Sequence, residues 1–324
     1  MNIAIAVLQR IPVTAYGGTE RVVWCLGREL KRLGHDVKFL APESSERYFA
    51  PIIRLDAAAP LAPQIPEGTE FVHFFFDFEP QEIPVPYMIT VEGNSVTYPN
   101  ANMAFVSRDH ARRHGSESYV YNGLDWDDYG PADLGRPREY YHFLAKAAWR
   151  VKNLRGAIRT ASKVRGGNRL VVMGGTRLNF KMGFRFTTNP KVRFRGMVGQ
   201  DEKARIMNRS KGLLFPVRWH EPFGLAVVES MWYGCPVFAT PYGSLPELVP
   251  DDAGFLSADS GELARAMTDA AFSPARCHEY ARDLFNSRVM AERYLEKYEA
   301  VSNGRALNAV PPRCCALEKN LAFG

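Results

Sequence analysis

The sequence has few cysteines and no long apolar run. Its five cysteines are an odd number, and their spacing fits neither a metal site nor a disulfide framework. Such cysteine usage is typical of a reducing compartment, so we expect a cytoplasmic protein. No apolar run approaches the roughly 20 residues that a membrane-spanning helix needs. The first residues also lack the basic segment and cleavage site of a signal peptide.

The sequence also argues against several classes of cofactor and partner. No Gly-x-Gly-x-x-Gly follows the first predicted strand, so a dinucleotide redox cofactor is not expected. Residues 1–140 carry 13 basic and 19 acidic side chains, and residues 141–324 carry 28 and 16. The basic second half fits binding of an anionic nucleotide diphosphate, although a solvated surface accounts for most of these charges. We expect no nucleic acid partner and at most peripheral membrane contact.

Short apolar segments alternate with amphipathic ones along the chain. This alternation predicts an α/β protein with two parallel, doubly wound sheets. The predicted strands of the first series are residues 3–8, 36–41, 71–76, 87–91 and 103–107. Those of the second series are residues 141–144, 170–173, 192–195, 212–216 and 236–239. A Gly- and Pro-containing linker near 130–140 separates a first domain, 1–138, from a second, 139–285.

The most informative segment runs from Glu221 to Glu229. Its sequence, E-P-F-G-L-A-V-V-E, predicts a tight turn followed by a short apolar helix. The amides of Phe223, Gly224 and Leu225 would be unpaired donors at a helix N-terminus, where a phosphate or diphosphate binds. One carboxylate before the helix and one inside it can accept hydrogen bonds from hydroxyl groups. The segment therefore predicts two hydroxyl-bearing groups flanking a diphosphate, as in a nucleotide-sugar.

This segment resembles the E-x7-E motif of family 4 retaining glycosyltransferases of the GT-B fold. Other segments follow the family's order, namely the loop ending in Gly17-Gly18-Thr19-Glu20 and residues 192–196, 213–216, 234–237 and 243–247. The resemblance covers roughly residues 1–300 and implies two facing Rossmann-like domains with the active site in the cleft between them. It also implies that a helix at 286–301 crosses back to the first domain, which leaves 302–324 as a tail.

The resemblance assigns roles to the matching residues. Glu229 is expected to bind the nucleotide ribose, and Glu221 to contact the donor sugar. The alternative for Glu229 is a surface helix carboxylate. If Glu229 faces solvent in the empty cleft, its replacement by alanine is expected to leave folding nearly unchanged. The loop carrying Gly17 and Gly18 would cover the diphosphate, because residues without side chains let backbone amides approach it. The donor base is expected near Arg195, Gly196 and Met197.

Departure of the diphosphate requires positive charge, because the leaving oxygen becomes negative as its bond to the sugar breaks. The family supplies an Arg and a Lys in a G-R-x4-K segment after the first strand of the second domain. Lys152 matches the lysine of that segment. Lys146 occupies the arginine position with a spacing one residue longer than usual, and Arg150 is a competing candidate. The alternative for each is a solvated surface charge.

The sequence departs from the family pattern at Glu92, where family members usually carry a histidine. A carboxylate there can bind sugar or acceptor hydroxyls, act as a base, counter positive charge on the anomeric carbon, or be an ordinary loop residue. We place Glu92 and the nearby Asn94 on the acceptor side. His73 matches the first residue of a family His-x-His pattern, and it either lines the acceptor cleft or is a satisfied core histidine.

The resulting prediction is a metal-independent, retaining glycosyltransferase. It would move a sugar from a nucleotide-sugar, UDP-sugar favoured, to a saccharide or other small acceptor in glycan or polysaccharide biosynthesis, with Lys152, Glu221 and Glu92 as catalytic residues. Asp125 and Asp127 have the D-x-D spacing of metal-dependent transferases, but their context matches a common family 4 segment, so no metal or other cofactor is expected. The alternatives are another activity such as epimerisation, or a donor-binding protein without turnover.

Overall fold

A computed structural model describes residues 1–12, 17–166, 168–180, 184–314 and 320–324. The described residues fall into two compact units, the first within Met1–Asp125 and Phe285–Ala316, the second within Trp126–Leu284 and Leu317–Gly324. Residues 126–138 therefore belong to the second unit, although the predicted domain boundary follows residue 138. The reason is local packing, since the Trp126 ring stacks on Trp232 with their centroids 4.6 Å apart. Part of the predicted tail, residues 315–319, lies outside the described residues.

A parallel sheet forms the centre of the first unit. Its strands are β1 (Asn2–Ala6), β2 (Asp36–Ala41), β3 (Ile52–Arg54), β4 (Phe71–Phe74), β5 (Tyr87–Val91) and β6 (Met103–Phe105). Among the described residues their order in the sheet is β3-β2-β1-β4-β5-β6. The helices of this unit are α1 (Thr19–Arg32), α2 (Arg108–Arg113) and α9 (Ser287–Ser302), with a 3-10 turn at Ala62–Gln64. Helix α1 buries an apolar stripe that includes Val22, Leu26 and Leu30, as its sequence periodicity predicts.

The second unit repeats this plan. Its strands are β7 (Tyr140–Leu144), β8 (Leu170–Met173), β9 (Val192–Phe194), β10 (Ser210–Phe215), β11 (Val237–Ala239) and β12 (Gly254–Leu256). Within the described ranges their order is β12-β11-β10-β7-β8-β9, again all parallel. The helices are α3 (Leu154–Lys163), α4 (Gln200–Met207), α5 (Leu225–Trp232), α6 (Leu245–Leu248), α7 (Ser260–Asp269) and α8 (Pro274–Leu284). Two 3-10 helices lie at Trp126–Tyr129 and Arg150–Lys152.

The predicted α/β class with two doubly wound parallel sheets is confirmed. The sequence analysis missed β3 and β12, which are three-residue strands at the edges of their sheets. The apolar run is only two residues long in each, Ile52-Ile53 in β3 and Phe255-Leu256 in β12, which is too short to predict a strand. In the part of the chain that the structure describes, no helix combines the length and the apolar character needed to span a membrane.

The strand order determines where a site can form. In the first sheet the order reverses between β1 and β4, and in the second between β7 and β10. Loops that leave the carboxyl ends of such neighbouring strands diverge, which opens a crevice where ligands of doubly wound sheets bind. Lys152 follows β7 and Glu221 follows β10, so the strand order brings these two predicted residues to one crevice.

Candidate functional site

A buried ion pair occupies the reversal point of the second sheet. Lys152 Nζ donates to both carboxylate oxygens of Glu221, at 2.9 and 2.6 Å. The two side chains are only 10% and 7% exposed. Trp219 Nε1 donates to Glu221 Oε2 at 2.7 Å, and the Trp219 ring centroid lies 4.7 Å from Lys152 Nζ. The structure thus joins the predicted catalytic lysine and the first glutamate of the motif, and Trp219 holds both.

Gly243 sets the position of the Glu221 backbone. The two residues form a parallel bridge, and Gly243 has a φ of +67°. A Cβ at position 243 would lie 2.3 Å from the amide nitrogen of Glu221, which is closer than real Cβ contacts come. The following amide, Ser244 N, donates to the Glu221 carbonyl at 2.9 Å. The segment at 243–247 therefore acts on the site through the backbone, which its sequence alone did not reveal.

The N-terminus of α5 lies next to this ion pair in the chain. Gly224 is the N-cap residue with a φ of +101°, a conformation that strains residues with a Cβ. No side chain among the described residues caps the first turn, which starts at Leu225. Phe223 is buried, and its carbonyl accepts a hydrogen bond from Ser244 Oγ at 2.5 Å. An uncapped helix N-terminus attracts anions through its amides and its dipole, as the sequence predicted for this turn.

Glu229 is buried in α5 and is already paired. Its Oε1 accepts hydrogen bonds from the Tyr129 hydroxyl at 2.6 Å and from Lys203 Nζ at 2.7 Å. The Glu229 side chain is 8% exposed and that of Lys203 is 7% exposed. Glu229 is therefore not a solvent-facing carboxylate, and the expectation that its replacement leaves folding nearly unchanged does not apply. Neither Tyr129 nor Lys203 was identified from the sequence, because 100 and 26 residues separate them from Glu229.

We expect Glu229→Ala to lower the free energy of unfolding of the second unit by about 3 kcal/mol, because Lys203 would remain buried without its carboxylate. Urea unfolding measures this change. Asp252→Ala is the control, since it breaks an ion pair whose two side chains are 44% and 55% exposed and should change stability by less than about 1 kcal/mol.

The ribose assignment is tested with Glu229→Gln, which keeps the shape of the side chain and removes its charge. We expect calorimetry to show donor binding weakened by roughly 1.5–3 kcal/mol, the range for hydrogen bonds to a charged group. A folded Gln variant with wild-type affinity for the nucleotide diphosphate would contradict the assignment.

The other predicted donor residues lie away from the ion pair or on the surface. Lys146 is exposed, and its Nζ lies 5.5 Å from the centroid of the Trp149 ring. Arg150 is exposed at the start of the 3-10 helix that ends at Lys152. Of the three candidate cations, the structure therefore places only Lys152 against Glu221. The roles of Lys146 and Arg150 remain predictions.

Arg195 belongs to an arginine-rich cavity. Its guanidinium pairs with Glu202 at 2.7 Å. The cavity has a volume of about 460 Å³ and is also lined by Arg136, Arg169, Arg193, Arg205 and Arg209. Lys152, Glu221 and Glu229 are not among its described lining residues. Gly196, with a φ of +69°, and Met197, which is 50% exposed, follow Arg195 at the carboxyl end of β9. Their expected contact with a nucleotide base remains a prediction.

Glu92 follows β5 in the first unit and is partly buried. Its Oε2 accepts a hydrogen bond from Asn122 Nδ2 at 3.1 Å, whereas its buried Oε1 has no hydrogen-bond partner among the described residues. Burial raises the pKa of Glu92 to about 7, the Asn122 hydrogen bond opposes this rise, and the nearby charge of Glu20 adds to it. A carboxyl group with a pKa near neutrality is suited to proton transfer. The role of Glu92 as a base remains a prediction.

His73 lies in a buried network of the first unit. One ring nitrogen is 2.7 Å from the Tyr298 hydroxyl and the other is 2.7 Å from Thr90 Oγ1. Burial lowers the pKa of His73 to about 3, so the ring is neutral. The side chain is fully buried, which fits the core-histidine alternative. Its acceptor role remains a prediction without geometric support.

The remaining candidates in the first unit are Asn94, Gly17, Gly18 and Asp125. Asn94 Oδ1 accepts a hydrogen bond from Arg113 Nη1 at 2.9 Å. Gly18 is the N-cap residue of α1, which has no side-chain cap among the described residues, and Gly17 precedes it. Residues 13–16 of the same loop lie outside the described residues. Asp125 accepts hydrogen bonds from Arg28 and Arg32, both at 2.9 Å, which gives this carboxylate a structural role.

Comparison with known protein families finds a match within the second unit. Residues 139–271 match the family model of glycosyl transferases group 1. This segment is therefore similar to group 1 glycosyl transferases, which agrees with the resemblance found in the sequence. It includes both glutamates of the motif, Lys152, Lys203 and the uncapped N-terminus of α5.

Curated relatives match only part of the chain. An uncharacterized 41.2 kDa protein from the cps region of Klebsiella pneumoniae is 31% identical over 117 residues, which are 34% of this chain and 32% of that protein. The D-inositol 3-phosphate glycosyltransferase of Streptomyces avermitilis is 39% identical over 87 residues, which are 26% of this chain and 18% of that enzyme. The chain therefore spans about a third or less of the length of these relatives.

Solved structures match almost the whole chain in fold. AviGT4, a glycosyltransferase involved in avilamycin A biosynthesis, has a TM-score of 0.74 at 20% identity and covers 94% of this chain and 99% of its own. Anabaena HepE in complex with UDP-glucose has a TM-score of 0.69 at 14% identity and covers 93% of this chain and 100% of its own. At these identities the likeness concerns the fold, and it confirms the predicted GT-B class.

Proposed function

We propose that this chain is a metal-independent, retaining glycosyltransferase. It transfers a sugar from a nucleoside-diphosphate sugar, with UDP-sugars favoured, to a hydroxyl of a saccharide or another small acceptor. The observation that carries the proposal is the buried Lys152–Glu221 pair beside the uncapped N-terminus of α5. The match to the group 1 family model and the HepE structure with UDP-glucose support it.

The second unit would supply the donor site. When the bond between the sugar and the diphosphate breaks, negative charge develops on the leaving oxygen. Lys152 and the first-turn amides of α5 are fixed positive groups suited to that charge, and their value is greatest in a site from which water is excluded. Glu221 would accept hydrogen bonds from the donor sugar, and Glu229, held by Tyr129 and Lys203, from the ribose.

The first unit would supply the acceptor side. Glu92, with its pKa near 7, is suited to take the proton of the acceptor hydroxyl as the new glycosidic bond forms. Asn122 holds one oxygen of Glu92, and the other oxygen is buried without a hydrogen-bond partner among the described residues, so the acceptor would have to displace neighbouring groups to reach it. Retention is proposed to follow a front-face ion-pair route, in which the acceptor attacks from the side that the diphosphate leaves.

The deciding experiment measures release of free nucleoside diphosphate. The full chain is incubated with UDP-, GDP- or ADP-sugars and a mixture of saccharide acceptors, after a thermal-shift screen has ranked the donors. We expect release that depends on both donor and acceptor, and a product whose anomeric configuration matches that of the donor. Product of inverted configuration would refute the retaining mechanism, and binding without release would refute the enzyme.

A donor-binding protein without turnover is the second candidate. The observation that favours it is Glu92, which stands where the family usually carries histidine. In that case a nucleotide-sugar would raise the melting temperature by mass action, yet no diphosphate would be released with any acceptor tested.

We expect turnover to persist in excess EDTA. The charge of the diphosphate would be met by Lys152 and by helix amides, so no divalent cation is required. Among the described residues, no group of three or more His, Cys, Asp or Glu side chains is placed to hold a metal ion. Rates with EDTA and with added Mg²⁺ or Mn²⁺ are compared. Activity abolished by EDTA and restored by either cation would contradict the prediction and support metal binding by the D-x-D pair Asp125 and Asp127.

A further inference from the structure

Two short stretches after β8, residues 178–180 and 184–186, pair with each other and are together called the aromatic hairpin. Asn179 and Arg185 form an antiparallel bridge in which each backbone amide donates to the other's carbonyl at 2.9 Å. Side chains alternate between the two faces of such a ribbon. One face carries four large apolar side chains that are 43%, 73%, 63% and 53% exposed, namely Leu178, Phe180, Phe184 and Phe186.

The opposite face of the hairpin buries a cation. Arg185 is 7% exposed, and its guanidinium lies 5.4 Å from the centroid of the Phe194 ring. Its Nη2 donates to the Thr176 carbonyl at 2.9 Å, whereas its buried Nε and Nη1 have no hydrogen-bond partner among the described residues. Exposure of four large apolar side chains to water is unfavourable. A contiguous exposed apolar patch of this kind marks a surface that meets a protein or a membrane.

The sequence on either side of the hairpin is basic. Residues 140–200 contain 14 lysines and arginines and no aspartate or glutamate. Arg155 Nη2 donates to the Phe184 carbonyl at 2.9 Å, which fixes α3 beside the hairpin. Arg155 and Arg159 are both exposed and lie one turn apart on α3. The apolar face is therefore bordered by solvated positive charge.

We propose that the aromatic hairpin docks this protein on the surface of a bilayer that contains anionic phospholipids. The phenylalanine side chains would enter the boundary between headgroups and acyl chains, and Arg155 and Arg159 would bind lipid phosphates. Charge favours the bilayer over a second copy of this chain, because a symmetric dimer through this face would oppose two basic segments. The peripheral contact that the sequence left open is thereby assigned to a defined part of the second unit.

Flotation of the full chain with lipid vesicles tests the proposal, and it requires neither donor nor acceptor. We expect binding to vesicles of phosphatidylcholine with phosphatidylglycerol, weaker binding to phosphatidylcholine alone, and release as salt screens the charges. Replacing Phe180, Phe184 and Phe186 together with Ser should lower partitioning at least about tenfold, and R155E/R159E should lower it by a similar factor.

Two control variants lie in the first unit. Val310→Ser removes an apolar side chain that is 72% exposed, like Phe180, and Arg112→Glu reverses an exposed helical charge on α2. Both should bind vesicles as the wild type does. If a combined variant fails to fold, as judged by its thermal unfolding, a single variant is used in its place. Phe180→Ser replaces the triple serine variant, and Arg159→Glu replaces R155E/R159E.

The proposal is overturned if the wild type does not bind anionic vesicles, or if the hairpin variants bind them as the wild type does. It is also overturned if light scattering shows a wild-type dimer that the serine variant no longer forms while vesicle binding is unchanged, since the hairpin would then join two copies of the chain.

Discussion

Glu92→Gln is expected to lower kcat by about 10²-fold or more and to leave donor affinity within a few-fold of wild type. The substitution keeps the size of the side chain and its hydrogen bond with Asn122, but it removes the group that takes up a proton. An interaction that strengthens only as charge develops in the transition state changes turnover and not ground-state binding. Steady-state kinetics and calorimetry on the same preparations separate the two effects.

The pH dependence of Glu92 provides two further measurements. If the ionised carboxylate is the base, wild-type kcat rises with pH through about 7, and this rise is lost in the Gln variant. The unfolded chain releases the Glu92 proton near the ordinary pKa of 4.5, before the folded protein does. The free energy of unfolding contributed by this group therefore falls as pH rises from 4.5 towards 7, and the Gln variant does not show that fall.

Other outcomes would assign Glu92 differently. A variant that keeps full kcat but loses acceptor affinity would make Glu92 a recognition residue. A variant identical to wild type in kcat, KM and pH profile would show that it is an ordinary loop carboxylate. Asp109→Asn is the matched control, because it changes a carboxylate of the same unit that is 35% exposed and pairs with Arg113.

Lys152→Met is expected to lower kcat/KM by about 10²–10³-fold, the range found when a fixed group that stabilises transition-state charge is removed. Methionine approximates the length and apolar stem of lysine and removes only the ammonium group. Lys152→Arg restores the charge with a different geometry and should recover part of the activity. Initial rates with the donor selected by thermal shift measure the effect.

Stability must be separated from chemistry at this pair, because Lys152→Met leaves Glu221 buried without its cation. The double variant K152M/E221Q removes both charges and should regain stability without regaining activity. Lys146→Met and Arg150→Met serve as comparisons at the two exposed candidate cations. If either lowers kcat/KM more than Lys152→Met does, the assignment of the main cation to Lys152 is wrong.

Much of the fold follows from local sequence patterns. Apolar runs of four to six residues marked the inner strands of both sheets, and the spacing of Val22, Leu26 and Leu30 marked α1. The edge strands β3 and β12 escaped detection because their apolar runs are only two residues long, and they become strands by pairing with the free edges of β2 and β11. The sequence identifies the helices and strands that have a clear apolar pattern of their own. The remaining strands form because they pair with an existing sheet edge.

The candidate site, like the fold, was predicted only in part from the sequence. Lys152, Glu221 and Glu229 were selected because they match motifs of the resembling family. The structure then places the loops after β7 and β10, which carry Lys152 and Glu221, where the strand order reverses. The sequence did not show that Lys152 pairs with Glu221, nor which side chains hold Glu229.

Those pairings are tertiary because the partners come from separate loops and helices. Tyr129 and Lys203 contact Glu229 only after the 3-10 helix at 126–129, α4 and α5 have packed on one sheet. The burial of Arg185 under an exposed aromatic face likewise depends on the pairing of the hairpin and on its packing against Phe194. The sequence by itself determined the fold class and the residues that can carry chemistry. Only the packed structure decided their partners and burial, because both depend on residues distant in the chain.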